Sequence, residues 1–260
     1  MEMKNALAPA VSVLMLVAAG YGATLALGPA LAPPPPEVVR TLAVIGMKGD
    51  LLRELAITVA RAMGGLALAN LFGLCLGLCA GLIPFLSRIC APLITALQAC
   101  PTIVWISLAL VWAGTGSAVP VAAVFAATLP PLFVGTVQGV LSLDKRALAM
   151  SRLYRVPWSV RLRRLLLPGV VSFWLAAFSH TLAAGWKVAA MAEFFGSSEG
   201  VGTRIFWAYR RMDMSELFAW TFAIILLGVG LEYALTVPLR KMAARMGKKF
   251  SYQEGSYVAS

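Results

Sequence analysis

Apolar runs long enough to cross a lipid bilayer recur along this chain, and nothing else in the sequence limits its fold so tightly. They lie at residues 6–31, 55–83, 89–113, 117–141, 168–195 and 217–239. A helix needs ~20 apolar residues to span the hydrocarbon core, where lipid offers no hydrogen-bond partner to an open backbone. The pattern predicts an all-α membrane protein with six transmembrane helices. Charge agrees: 13% of residues are Asp, Glu, Lys or Arg, against ~25% in a soluble domain, too few to cover a water-facing surface.

The net charge of +11 would suit a nucleic-acid partner if it lined one face with aromatic residues interleaved. Instead it is confined to alternate connections. Lys145, Arg146, Arg152, Arg155, Arg161, Arg163 and Arg164 crowd one segment, and Arg240, Lys241, Arg245, Lys248 and Lys249 follow the last span. This is the positive-inside pattern, which orients spans in a membrane and leaves no call for nucleic acid. With both segments in the cytoplasm, six crossings place both termini there too. Inside connections then hold fourteen basic residues against six outside. Lys4 and Ala30-Leu31-Ala32 flank the first span as they would a secretory leader, but the run exceeds the ~7–15 apolar residues of one and is read as retained.

The chain divides into an N-terminal helix with an outer-surface segment (1–54), a core (55–240) and a basic cytoplasmic tail (241–260). Pro33 to Pro36 stiffen the exit from the first span, and Val38, Val39, Leu42 and Ile45 recur at helical spacing, as in a short helix on the outer surface. Residues 196–216, with Gly196, Gly200 and Gly202, read as a loop or a broken helix. Gly73, Gly77 and Gly81 stand four apart, a groove for close helix approach, first of all within one subunit.

Few side chains here carry chemistry. Cys75, Cys79, Cys90 and Cys100 form no CxxC pair, and His180 has no carboxylate near it; no metal site is expected. Ionisable residues inside spans are functional candidates because desolvation is costly there. Lys187 beside Trp186, and Glu193, are therefore candidate functional residues, with snorkelling or acid pairing the plainer role for Lys187. For Glu193 the plainer role is bracing the glycine turn that follows. Arg61 reads as an interfacial anchor, and Trp105, Trp112 and Trp174 as packing or belt residues.

The most informative stretch is 143–167. Leu148, Leu153, Trp158, Leu162, Leu165 and Leu166 can form apolar faces on two short helices broken near Val156-Pro157. Such a compact cytoplasmic knob suits docking in a partner's groove. Its order of basic short helices followed by Leu167-Pro168 resembles the EAA loop of binding-protein-dependent ABC importer permeases. The resemblance continues through Thr58-Val-Ala-Arg61 with Gly65, Pro101-Thr-Ile-Val-Trp105, Trp112-Ala-Gly-Thr-Gly116, Leu141-Ser-Leu-Asp144, Trp186, Ala192-Glu193 and Gly200-Val-Gly202. This ordered set, spanning about 58–239, is most similar to the nitrate/sulfonate/taurine-type branch.

The resemblance implies a type I ABC importer permease core and a transport subunit rather than an enzyme. It implies a cytoplasmic ABC ATPase, a periplasmic substrate-binding protein and a second permease copy as partners. The ATPase-coupling loop would use Ala149, Met150, Ser151, Arg152, Tyr154, Arg155 and Pro168. Counted back from Pro168, the family's Glu-Ala-Ala falls on Ala149-Met150-Ser151 and its turn glycine on Arg155, so the acid and the glycine are both missing. A non-glycine residue at positive φ costs ~1 kcal/mol or more; either this turn avoids that conformation through Pro157, or the coupling geometry differs. No G-x-x-x-x-G-K-[ST] occurs, so ATP and Mg²⁺ would sit on the partner ATPase, with no cofactor on this chain. The alternatives are an ion-coupled secondary transporter and a permease-like protein with altered coupling. Against the first, span acids are confined to Glu193 and Glu232 near span ends.

Overall fold

The computed structural model describes residues 2–239, 241 and 242, and every regular element among them is helical. The chain opens with α1 (Glu2–Leu27), whose main neighbour is the short α2 (Pro35–Met47) through Gly20 against the Pro35 ring. The middle of the molecule is a layer of three long helices, α3 (Asp50–Leu82), α6 (Ala118–Leu141) and α9 (Leu167–Gly196), with α6 between the other two. The remaining helices pack around this layer.

Small residues set the spacing of the layer. A Cβ added at Gly65 would fall 2.7 Å from the Val124 Cβ, one at Gly77 2.7 Å from the Thr136 Cβ, and one at Gly81 2.6 Å from the Val140 Cβ. The glycine groove of α3 is thus filled by α6 of the same chain. On the other side of α6, Gly135 faces Ala177, and a Cβ at Gly139 would come within 2.9 Å of the Val170 Cα. In lipid, where apolar burial drives little helix association, such close backbone approach supplies the dispersion energy that holds the layer. Ala62, Leu66, Ala69, Val124, Leu132, Leu182 and Ala189 form its buried centre.

The span expected at 89–113 is not one straight helix. It is divided into α4 (Pro84–Ala99) and α5 (Thr102–Ala113), bent by 94°. Pro101 has no N–H to continue the ladder and forces the preceding residue to extend; Cys100 sits at φ −76° and ψ 123°. Among the described residues, three helices are individually long and apolar enough to cross a membrane, at Asp50–Leu82, Ala118–Leu141 and Met214–Leu239, and the bent pair is a fourth candidate. The 30 residues of α9 reach about 45 Å at ~1.5 Å per residue, longer than the ~30 Å core.

Two short helices, α7 (Lys145–Leu153) and α8 (Trp158–Arg161), project between α6 and α9, and a π-helical turn at Leu162–Leu166 leads into α9. After α9 the chain is a broken helix: α10 (Val201–Arg210), then α11 (Met214–Leu231), which continues through a second π-helical turn, Glu232–Thr236. The expected surface helix is α2, and it does more than lie on a surface. Leu42 and Ile45 pack on Val201, Trp220 and Ala223 of α10 and α11, and Ser215 donates to Glu37 at 2.6 Å. Of the basic tail, Arg240 and residues 243–260, with Arg245, Lys248 and Lys249, lie outside the described residues.

Candidate functional site

At one end of the layer the α7–α8 hairpin stands clear of the spans. Asp144 opens it, its carboxylate accepting the backbone N–H of Arg146 at 2.8 Å. α7 ends in a Schellman-type turn: Val156 N–H donates back to the Ser151 carbonyl at 3.0 Å, and Arg155 holds the left-handed conformation at φ 50°. The alternative in which Pro157 spares this residue from positive φ is therefore not what occurs. Arg155 adopts the conformation that glycine serves in the EAA loop, and Pro157 instead starts α8 at φ −53° and ψ 141°. Leu153 and Tyr154 at the tip are 78% and 72% exposed, so these apolar side chains have no cover among the described residues. Ala149, Met150 and Arg155 are exposed, Ser151 is half-buried, and the Arg161 guanidinium lies 4.8 Å from the centroid of the Trp158 ring. Arg152 lies in the last turn of α7, and Pro168 is the second residue of α9.

At the other end of the layer α3 presents Glu54, Thr58 and Arg61, spaced four and three apart and so on one helix face, all buried. Arg61 is not an interfacial anchor. Its guanidinium donates to Glu193 at 2.9 Å, to the Glu199 carbonyl at 2.6 Å and to the Ser117 hydroxyl at 2.9 Å. Glu193 is fully buried, and it also accepts from the Thr58 hydroxyl at 2.7 Å and the Gly202 N–H at 3.2 Å. Glu54 accepts the Gly200 N–H at 2.5 Å and the Arg204 guanidinium at 2.8 Å. Two carboxylates and a hydroxyl thereby take the free N–H groups at the start of α10, where the helix dipole favours negative charge. Gly200 is at φ 102°, and a Cβ there would collide with the Glu193 carboxylate. Three stretches quoted for the family resemblance, Thr58–Arg61, Ala192-Glu193 and Gly200–Gly202, thus meet in one buried cluster.

The profile of the family described as binding-protein-dependent transport system inner membrane component matches residues 69–239. The chain belongs to this family. The permease, a transport component rather than an enzyme, is 26% identical to the putative aliphatic sulfonates transport permease protein SsuC of Bacillus subtilis strain 168, over 84% of this chain and 78% of that one. It is 27% identical to the taurine transport system permease protein TauC of Escherichia coli K12, over 87% and 84%. Its fold matches a chain of the MetNI methionine ABC transporter in an inward-facing conformation with a TM-score of 0.61 and 18% identity, covering 77% of this chain and 98% of that one.

The remaining candidates of the permease do not join the buried cluster. Trp186 is half-buried, its indole pressed on Gly228 of α11. Lys187 is exposed, its ammonium 5.5 Å from the Trp186 ring centroid, a cation–π contact. Glu193 is the only one of the three in the cluster. Glu54 and Ser117 went unrecognised as sequence features. The ladder Glu54, Thr58, Arg61 on one face of an apolar helix was the available signal, since such a row must find partners in lipid.

Proposed function

We propose that this permease is the transmembrane subunit of an ATP-driven importer that passes a small anion of the sulfonate, taurine or nitrate kind, delivered by a periplasmic binding protein. The observation that carries this reading is similarity along most of the chain, 84% and 87%, to permeases named for aliphatic sulfonates and taurine. A separate ATPase holds ATP and Mg²⁺ and docks on the exposed hairpin, with Ala149, Met150, Ser151, Arg152, Tyr154 and Arg155 at the contact and Pro168 setting the entry to α9. Leu153 and Tyr154, left uncovered at the tip, are the kind of apolar anchor such a groove would bury. Two permease copies rock as rigid bodies about the solute path. Lys187 and Trp186 border that path toward its outer part, and Glu193 keeps its outer frame in shape.

The same reading places the hairpin, the basic tail and both termini in the cytoplasm, following the positive charge. The core runs from 55 to 240, preceded by the helix and surface segment of 1–54 and followed by the tail of 241–260. The test is uptake of labelled taurine into proteoliposomes holding the permease with its cognate ATPase, with binding protein outside and ATP inside. Uptake should require all three additions, and replacing Leu153 and Tyr154 by alanine should abolish copurification of the ATPase. Uptake that continues without the ATPase, or copurification that survives the double replacement, refutes the proposal.

A further inference from the structure

The break between α4 and α5 opens a cavity of about 270 Å³ whose wall includes Gln98, Cys100, Thr102, Trp105, Pro131 and His180. Its depth can be read from the helices. Pro130 and Pro131 lie halfway along the 24 residues of α6, and His180 lies near the middle of the 30 residues of α9. With α6 read as a span, the cavity is level with the middle of the bilayer, about 17 Å from either end of α6 at the usual rise per residue. It is smaller than the ~300–1,000 Å³ sites of drug-sized ligands, and so suits a small solute.

The polar side chains in its wall can each donate a hydrogen bond, and none is a Lys or an Arg. α5 begins here, with Pro101 at its N-cap and no side chain capping it. The N–H groups of its first turn, at Thr102 and Ile103, have no acceptor within the helix, and the dipole's positive end faces the break. Trp105, one turn on, has a buried indole N–H with no partner among the described residues. A buried donor left unpaired is costly, and a ligand is one way to satisfy it. Gln98, the Thr102 hydroxyl and His180 add further donors, and none of the residues lining the cavity is acidic.

The geometry points to this cavity as the resting place, in passage, of the oxyanion group of the transported solute, a sulfonate or another singly charged small oxyanion, and this rests on the permease function proposed above. A half-helix N-terminus at the midplane is suited to an anionic group. These donors hold that group without the grip of a buried Lys or Arg, as passage requires: binding strong enough to enter and weak enough to leave. Lys187, seven residues beyond His180 on α9, is about 10 Å further along the helix at ~1.5 Å per residue, and the cavity works without it.

Cys100, half-buried in the wall, makes the test direct. In the assembled complex, with Cys75, Cys79 and Cys90 of the permease replaced by alanine, Cys100 is treated with the anionic sulfonatoethyl methanethiosulfonate or its cationic trimethylammonioethyl counterpart. Each forms a mixed disulfide and releases methanesulfinate. After correction for each reagent's rate with free cysteine, the anionic reagent should react faster by about tenfold, the scale of modest electrostatic selection, and taurine should slow it. Equal rates, a cationic preference, or no reaction in either the resting or the ATP-driven complex overturns the proposal. In parallel, W105F should lower taurine moved per ATP hydrolysed by about tenfold, the loss expected for one hydrogen bond to a charged group; an unchanged ratio argues against the cavity. If the unaltered complex neither hydrolyses ATP in response to taurine-loaded binding protein nor accumulates taurine, the proposed function fails instead. The labelling preference, which needs no transport, still decides the cavity.

Discussion

Glu54, Thr58, Arg61 and Glu193 at one end of the α3–α6–α9 layer are buried, with their charges answered by Gly200, Gly202, Arg204 and Ser117. At the other end, the hairpin of α7 and α8 leaves Leu153, Tyr154 and Trp158 exposed and holds Arg155 in a left-handed conformation. The first arrangement locks helices far apart in sequence, since Arg61 and Glu193 are separated by 132 residues. The second is local and leaves its apolar surface uncovered. One end is stabilised by contacts it already has, while the other leaves apolar side chains exposed among the described residues. In a membrane the contrast is sharp, because a buried charge without its partner has no water to fall back on.

Breaking the locked end should give the largest effect. Glu193→Ala strands the Arg61 guanidinium and should lower stability by about 3–5 kcal/mol, read by thermal unfolding of the purified permease in detergent. Adding Arg61→Ala should cost less than the sum of the two single changes. A Glu193→Ala protein that melts with the parent would show that the pair holds nothing. Thr58→Val comes next. It removes the hydroxyl that donates to Glu193 and accepts the Val201 N–H at 3.0 Å, at an expected cost of about 1–3 kcal/mol in the same assay.

At the exposed end the sign reverses. Arg155→Gly relieves a left-handed non-glycine residue and should stabilise the hairpin by about 1 kcal/mol, seen as slower hydrogen exchange at the Val156 amide with little change in global melting. Faster exchange there would mean the turn is not left-handed in solution. The smallest effect belongs to Arg53, whose pair with Glu199 at 2.6 Å is well exposed. Arg53→Ala should shift stability by no more than about 1 kcal/mol. A loss as large as that at Glu193 would erase the distinction between buried and solvated charge on which the contrast stands.

Hydropathy made the long helices readable, because length and apolarity alone decide them. The hairpin was readable from its spacing, down to the break before Pro157. Other features depended on what packs against what. Arg61 looks like an interfacial anchor when only its own helix is considered; its partners on α9 and in the loop after it are invisible at that range. The bend at Pro101 was hidden because the apolar run continues across it, and hydropathy does not register a missing N–H. At Arg155 the sequence left open whether Pro157 spares the turn from positive φ, and the φ of 50° with the Schellman bond from Val156 to Ser151 shows that it does not.

The ion pair between α3 and α9 also limits how this subunit can move. Prying those helices apart at their charged end would strand a carboxylate and a guanidinium in oil. In the importer proposed above, the slab would therefore swing as a single lever or yield at its uncharged margins, where α4 and α5 are parted by a bend of 94°.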